Sequence, residues 1–245
     1  MGSQLVLPEM CLDLSYHTPW SRQVRFESGV DFVKTFDMYG CAIVAGDLED
    51  SVLLGLASHM LSSETYSMRE DGRYSTNSWK NKEDKSYAAF LDSAVLRTSL
   101  DMLAEAGCSS RYQLRPLANW EYGLAGGDVC PPFCMEAQPL HTDWASMPLA
   151  YMDMGYAIAV SVSPTHVTAE HGPICIIPWN LEKHHDKNGR YHVQHLANDF
   201  LITLSPGEFL IRDVRACHGG SINRLGAPRP LPGVQVLSPL YLQSL

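Results

Sequence analysis

The sequence predicts a mainly β protein of the sandwich or jelly-roll class with helices packed outside, and three observations lead there. Helical periodicity is confined to the first 106 residues. From residue 111 onward seven short β-prone segments follow one another, separated by Gly, Pro, Asn and Asp. The chain has 245 residues, 45% of them hydrophobic and 18% charged, enough apolar side chain to fill a core. No composition shift marks a boundary, so residues 1–245 read as one domain.

Residues 1–24, with Pro8 and Pro19 and no clear period, read as an arm on the domain surface. Val30, Phe32, Val33, Phe36 and Met38 predict a short helix that meets Gly40, and Cys41 to Ala45 a compact strand ending at Gly46. Asp47 is placed to cap a helix running to about Ser62, whose Val52, Leu53, Leu56 and Met60 recur at spacings of three and four. Residues 63–86 are polar and without period, which fits either an exposed loop or an ordered cover. Val95, Leu96, Leu100 and Leu103 predict a second amphipathic helix from Asp92 to Ala106, stopped by Gly107. The predicted strands are 111–123, 138–144, 155–163, 173–179, 199–205, 207–215 and 233–242. Between them, 180–198 is polar and holds His184, His185, His192 and His195. It reads as an inserted loop, a candidate lid over an active site rather than a second metal site.

Composition excludes several functions. Lys and Arg total 18 against 27 Asp and Glu, a formal charge of −9, the wrong sign for nucleic acid or anionic lipid. No run reaches the roughly 18 to 20 apolar residues of a membrane span. The start lacks a basic segment followed by a hydrophobic one, Val6 stands where myristoylation would want Ser or Thr, and the final QSL is a poor peroxisomal signal. Seven cysteines at irregular spacings suit free thiols in a reducing compartment, so the expected location is cytoplasmic. Cys130 and Cys134 have no second ligand pair at zinc spacing and read as loop thiols.

The chemistry concentrates around Pro139-Leu140-His141-Thr142-Asp143-Trp144. On a strand, His141 and Asp143 point the same way, so one imidazole and one carboxylate converge. His218, after the apolar run Glu208 to Asp213, can supply a third ligand. Two His and one carboxylate on one face leave three adjacent octahedral positions open, which suits non-haem Fe(II) activating O2 with a chelating cosubstrate. A His-x-Asp triplet alone says little, but Arg229 follows His218 by eleven residues. A loop of that length can return a guanidinium beside the metal, to hold the far carboxylate of a dicarboxylate by a bidentate pair.

In these residues the chain resembles the phytanoyl-CoA dioxygenase group of Fe(II)- and 2-oxoglutarate-dependent oxygenases. The resemblance rests on the HTD triplet 141–143, Glu170-His171-Gly172-Pro173 running to Ile177-Pro178, and His218-Gly219 with Asn223, Pro228 and Arg229. It implies a double-stranded β-helix, a jelly-roll form, with His141, Asp143 and His218 as iron ligands. It also implies Arg229 as the anchor of 2-oxoglutarate, with Gln138 and Ser221 reaching the same cosubstrate. The chain departs from the group at Gly220, where a Ser is usual, at Pro178-Trp179-Asn180-Leu181, and at His171, where Asn is usual. The retained Asp143 disfavours halogenation, since halogenating relatives carry a small residue there.

The implied activity is oxidation of a C–H bond, by default hydroxylation, with release of succinate and CO2. A free metabolite fits better than a CoA ester, because no Lys/Arg cluster stands out to hold the CoA phosphates. A tailoring step of specialised metabolism is the expectation by analogy with the group. Trp144, Met147, Trp120, Tyr122 and Arg224 are the candidate substrate contacts. The contrasting reading is a non-oxidative jelly-roll metal-binding protein or isomerase, and Arg229 speaks against the latter, which has no need of a 2-oxoglutarate anchor. The sequence leaves monomer and homodimer both open.

Overall fold

A computed structural model describes residues 24–26, 30–62, 67–68, 72–106, 120–143, 157–178 and 200–237. The arm up to residue 23, Trp144, Met147, the 180–198 segment and the 111–119 part of the first expected strand lie outside the described residues. Strands are β1 (Arg25–Phe26), β2 (Cys41–Val44), β3 (Ser67–Met68), β4 (Tyr74–Ser78), β5 (Glu121–Cys130), β6 (Ala157–Val162), β7 (Ile174–Ile176), β8 (Leu201–Ile202), β9 (Phe209–Asp213), β10 (His218–Gly220) and β11 (Arg229–Leu237). Helices are α1 (Val30–Tyr39), α2 (Asp50–Leu61), α3 (Lys85–Leu91) and α4 (Ala94–Ala106), with a 3-10 turn at Trp79–Glu83.

The strands form two sheets, an eight-stranded one in the order β1-β2-β9-β6-β11-β5-β4-β3 and a three-stranded one in the order β10-β7-β8. Every pairing but β1 with β2 is antiparallel. Alternation along the strands makes two apolar layers. On one face Ala42, Val44, Ile158, Val160, Phe209, Ile211, Val234 and Val236 pack with Phe36, Leu56, Met60, Phe90, Leu96 and Leu100 of the helices. On the other, Cys41, Ile43, Leu210 and Leu231 meet Ile176, Ile202 and Leu204 between the sheets. Each such side chain contributes roughly 1.5–3 kcal/mol on burial, so the two layers together clamp the large sheet. The result is a jelly-roll core with helices outside, and its inter-sheet space is where the site lies.

The structure revises several local expectations. Asp47 does not cap α2, whose N-cap is Glu49 with no side-chain bond. Asp47 caps α4 instead: it accepts from the Ser93 hydroxyl and from the backbone N–H of Ala94 (3.0 Å) and Val95 (3.3 Å). Residues 72–91 are an ordered cover and not an exposed loop. Their polar groups are buried against β5, with Asn81 donating to the Ala125 carbonyl (2.9 Å) and the Tyr87 hydroxyl to that of Gly126. Bonds of this kind need no apolar period, which is why the segment looks like a loop in sequence.

Two strands extend beyond their expected limits. Of the expected 111–123 strand only 120–123 is described, and from there β5 runs Glu121–Cys130 through Gly126-Gly127. Gly127 has φ of 141°, and a Cβ there would lie 2.2 Å from the Leu231 carbonyl oxygen, so the close approach of β11 requires glycine. Cys130 therefore ends a strand rather than sitting in a loop. β11 begins at Arg229, not 233, and includes Pro230 and Pro232. It pairs with β5 throughout but with β6 only from Gly233, so both prolines fall where one flank lacks a neighbour. The 138–144 strand reduces to one bridge, His141 with His218, and β10 was not anticipated. Cys41, Cys130, Cys134, Cys175 and Cys217 are buried. Among the described residues no helix is long and apolar enough to cross a membrane.

Candidate metal centre

Backbone pairing brings the first two candidate ligands together. His141 N–H donates to the His218 carbonyl and His218 N–H to that of His141, both at 2.8 Å, and the rings lie side by side, centroids 4.5 Å apart and planes tilted by 46°. β10 in turn is fixed by β7, with His218 opposite Ile176. Asp143 follows, its N–H held by the Val214 carbonyl at 3.1 Å. One ligand atom from each of His141, Asp143 and His218 lies within 4.8 Å of the others. Asp143 Oδ1 stands 3.4 Å from His218 Nε2 and 3.9 Å from His141 Nε2.

The imidazoles are oriented for a metal. His141 Nδ1 lies 2.8 Å from the Pro139 carbonyl and His218 Nδ1 3.0 Å from that of Ala216. His218 Nδ1 also lies 3.2 Å from Arg212 Nη1; with both Nδ1 atoms held by these neighbours, both Nε2 atoms face the Asp143 carboxylate. Burial, with the nearby Arg212 guanidinium, pulls the His218 pKa down to about 4, so its ring is neutral near pH 7. Burial alone would raise Asp143, but Arg212 and His218 together hold its carboxyl well below the usual carboxylate range. Two imidazoles and a carboxylate fit a divalent cation, and the exposed side of Asp143 leaves an open face.

Arg212 is a residue that the sequence reading missed. It is 7% exposed and donates through Nη2 to Asp143 Oδ2 at 2.8 Å, leaving Oδ1 toward the histidines. It fixes which oxygen can ligate, as carboxylates behind metal ligands commonly fix histidines. Its signal was available: β9 reads Phe-Leu-Ile-Arg-Asp, and a buried arginine in an apolar strand needs an anionic partner.

A cavity of ≈ 200 Å³ adjoins the three residues, its wall including Leu124, Ser161, Leu231 and Gln235. Asp128, Gln138 and Gly220 carry that wall toward two buried arginines. Arg229 is 1% exposed, donates through Nε to the Gly172 carbonyl at 3.0 Å, and has Nη2 3.5 Å from Asp128 Oδ2. Its Nη1 and Nη2 are buried without a hydrogen bond. Burial lowers its pKa, with Asp128 opposing and Arg73 adding to the shift. Arg73, also unanticipated, is fully buried beside it and donates through Nη2 to the Ser221 carbonyl.

The other expectations divide. Gln138 lines the cavity, its Oε1 accepting from Gly220 N–H at 2.7 Å. Ser221 turns away, its hydroxyl donating to the Pro173 carbonyl at 2.8 Å. Trp120 and Tyr122 pack on the helix-side core, not the cavity, with Trp120 Nε1 donating to Asp101 (3.0 Å) and the Tyr122 hydroxyl to the Leu91 carbonyl (2.9 Å). A register shift between β11 and β5 at Val234/Val236 explains this, because a bulge reverses which residues face inward and leaves Leu124 on the cavity wall. Arg224 is exposed and off the cavity wall. His171 is a strut, its ring nitrogens 2.9 Å from the His166 carbonyl and 3.3 Å from that of Pro228.

No family model matches the sequence, and no curated protein does. Solved structures do match. EvdO2 from Micromonospora carbonacea var. aurantiaca superposes with a TM-score of 0.59 at 16% identity, over 87% of this chain and 93% of that one. The epimerase SnoN, solved with Fe3+, alpha-ketoglutarate and nogalamycin RO, gives 0.62 at 13% identity over 84% and 82%. The non-heme monooxygenase ThoJ, solved as a nickel complex, gives 0.57 at 11% identity over 84% and 77%. At such identities the likeness is one of fold, and it agrees with the jelly roll described above.

Proposed function

We propose that this protein is an Fe(II)- and 2-oxoglutarate-dependent oxygenase that oxidises a C–H bond of a small-molecule metabolite. The observation that carries this reading is a two-His, one-carboxylate constellation beside a cavity lined by Asp128, whose carboxylate faces the buried Arg229 behind it. A cation site alone would suit many enzymes, but a metal constellation paired with a buried anion receptor calls for an anionic chelator. EvdO2 has also been solved with 2-oxoglutarate, and SnoN with Fe3+ and the same cosubstrate, which supports the choice. The sequence features shared with the phytanoyl-CoA dioxygenase group point the same way.

In this reading His141, Asp143 and His218 hold the iron, and Arg229 pairs with the distal carboxylate of 2-oxoglutarate. Bound there, iron and 2-oxoglutarate would supply oxygen-activating chemistry: O2 is the oxidant, 2-oxoglutarate is oxidised to succinate and CO2, and the remaining two oxidising equivalents act on the substrate. The chain supplies orientation: Nδ1 hydrogen bonds hold the two rings and Arg212 holds the carboxylate. Hydroxylation is the default outcome. Epimerisation, as in the name of SnoN, or desaturation would use the same residues with a different substrate placement. Asp143 occupies a coordination position, which leaves halogenation disfavoured. SnoN, from nogalamycin biosynthesis, supports a tailoring step of specialised metabolism.

Anaerobic titration with Fe(II) and 2-oxoglutarate tests the reading. A visible charge-transfer band in the wild type that is lost in His218→Ala is expected. A folded, iron-loaded wild type without that band would leave a non-oxidative metal protein.

A further inference from the structure

The inter-sheet face of the large sheet changes character along β6 and β11. Where the small sheet lies against it the inward side chains are apolar, Ile43 and Leu210 among them. On the cavity wall they are instead Ala159 and Ser161 of β6 and Gly233 and Gln235 of β11, while the alternate residues Ile158 and Val236 fill the helix-side core. β6 and β11 are interior strands, each paired on both sides. A polar side chain on such a strand costs free energy unless it is partnered. Ser161 and Gln235 are partly exposed, and neither side chain has a hydrogen-bond partner among the described residues. Two hydrogen-bonding groups therefore stand open to the cavity in the middle of the sheet.

Strand register sets them side by side. Ser161 pairs with Gly233 and Ala159 with Gln235, so Ser161 and Gln235 are diagonal neighbours with only a hydrogen and a methyl group at the other two corners. An ideal Cβ on Gly233 would lie 3.2 Å from Ser161 Oγ, and its absence leaves that hydroxyl uncovered. On its other side Ala159 pairs with Arg212, whose guanidinium holds Asp143. Gln235, Ala159 and Arg212 thus form a row across β11, β6 and β9, roughly 10 Å from end to end at the usual strand spacing. A molecule lying over Ala159 meets Gln235 and Ser161 on one flank and the Arg212–Asp143 pair on the other. The carboxylates of this wall are paired, Asp143 with Arg212 and Asp128 with Arg229. What the Gln235 flank offers is neutral hydrogen bonding.

We propose that Gln235 and Ser161 form the substrate-recognition subsite and take a neutral group that donates and accepts in one place, a hydroxyl or a carboxamide, with the carbon to be oxidised across Ala159 on the Arg212–Asp143 side. The assignment rests on the oxygenase reading and adds a substrate class: neutral hydroxylated or amide-bearing metabolites, not carboxylates or amines. A serine hydroxyl and a glutamine amide each donate and accept, and neither compensates a full charge taken out of water.

The test is ligand-observed NMR near neutral pH on the full-length protein loaded with Zn(II) and saturating 2-oxoglutarate, which keeps a carboxylate probe off the metal. The probes share a cyclohexane ring and differ in one substituent: cyclohexanol, cyclohexanecarboxamide, cyclohexanecarboxylate and cyclohexylammonium. The two neutral probes should bind wild type, and the two charged ones at least about tenfold more weakly. Gln235→Leu and Ser161→Ala should each raise the Kd of the neutral probes by roughly 3- to 10-fold, the value of one neutral hydrogen bond. Gln235→Glu keeps the shape and adds a charge, and it should turn the preference toward cyclohexylammonium, a reversal that a packing role would not produce. Neutral and charged probes binding wild type alike, or unchanged probe affinities in all three variants, overturn the subsite and leave the oxygenase reading intact. Wild type that takes 2-oxoglutarate but neither neutral probe does the same. Wild type that fails to take 2-oxoglutarate overturns the oxygenase reading, and this assignment with it.

Discussion

Asp143 and Arg212 show how much one side chain can decide. Asp143 presents Oδ1 to the histidines because Oδ2 is taken by Arg212 at 2.8 Å. Arg212→Met would keep the volume and remove that hold. Metal affinity should then fall by roughly 10- to 100-fold, the usual cost of losing a supporting partner of a ligand, as read by competition with a chromogenic chelator. Unaltered affinity would mean that backbone geometry alone places the carboxylate. His218→Ala and Asp143→Ala should abolish iron-dependent succinate formation with circular dichroism unchanged, and full turnover in either would remove the triad. Arg229→Ala should raise the 2-oxoglutarate requirement far more than the iron requirement, since it loses a bidentate charged contact remote from the metal. These residues differ in legibility. His141, Asp143, His218 and Arg229 stand in short recognisable patterns, whereas Arg73, Asp128 and Arg212 acquire meaning only from partners 55 or more residues away.

At the scale of elements, helices were read more accurately than strands. α1, α2 and α4 announce themselves through a 3.6-residue apolar period that belongs to each segment alone. Strand limits depend on neighbours: β5 passes through Gly126-Gly127 and β11 through Pro230 and Pro232 because of what lies beside them. Gly127→Ala should therefore be severe, well beyond the roughly 1 kcal/mol centre of ordinary substitutions, since its Cβ would sit 2.2 Å from a backbone carbonyl. A melting temperature within a degree of wild type would contradict this. Asp47 offers a milder test. Its carboxylate caps α4 across 46 residues of sequence, and Asp47→Ala should cost about 1 kcal/mol. In thermal melts that is roughly 2–4 °C for a chain of this size.

For the molecule as a whole, the candidate site is a meeting of both sheets. His218 belongs to the small sheet, Arg212 and Arg229 to the large one, and Asp128 and Arg73 lie at or beside its β5 and β4 strands. Ligands that join these pieces should stabilise the entire fold by mass action, by about 2.7 kcal/mol at a hundredfold excess over Kd. Fe(II) plus 2-oxoglutarate should thus raise the anaerobic melting temperature by several degrees, an effect removed by chelator. 2-Oxoglutarate should do little without metal. A shift from 2-oxoglutarate equal with and without metal would place the dicarboxylate away from the centre.

By itself the sequence determined the β-rich class with outer helices, the His-x-Asp and His ligand candidates and the single arginine expected to hold a dicarboxylate. Each is encoded locally, in a period or a short spacing that one stretch of chain carries whatever surrounds it. Only the tertiary structure decided that Asp47 caps a distant helix, that Tyr122 faces away from the cavity, and that Arg73, Asp128 and Arg229 converge beside Gly220. Those outcomes follow from strand register, a bulge and the compensation of buried charge. All three are settled between segments far apart in the chain and leave no periodic trace within any one of them.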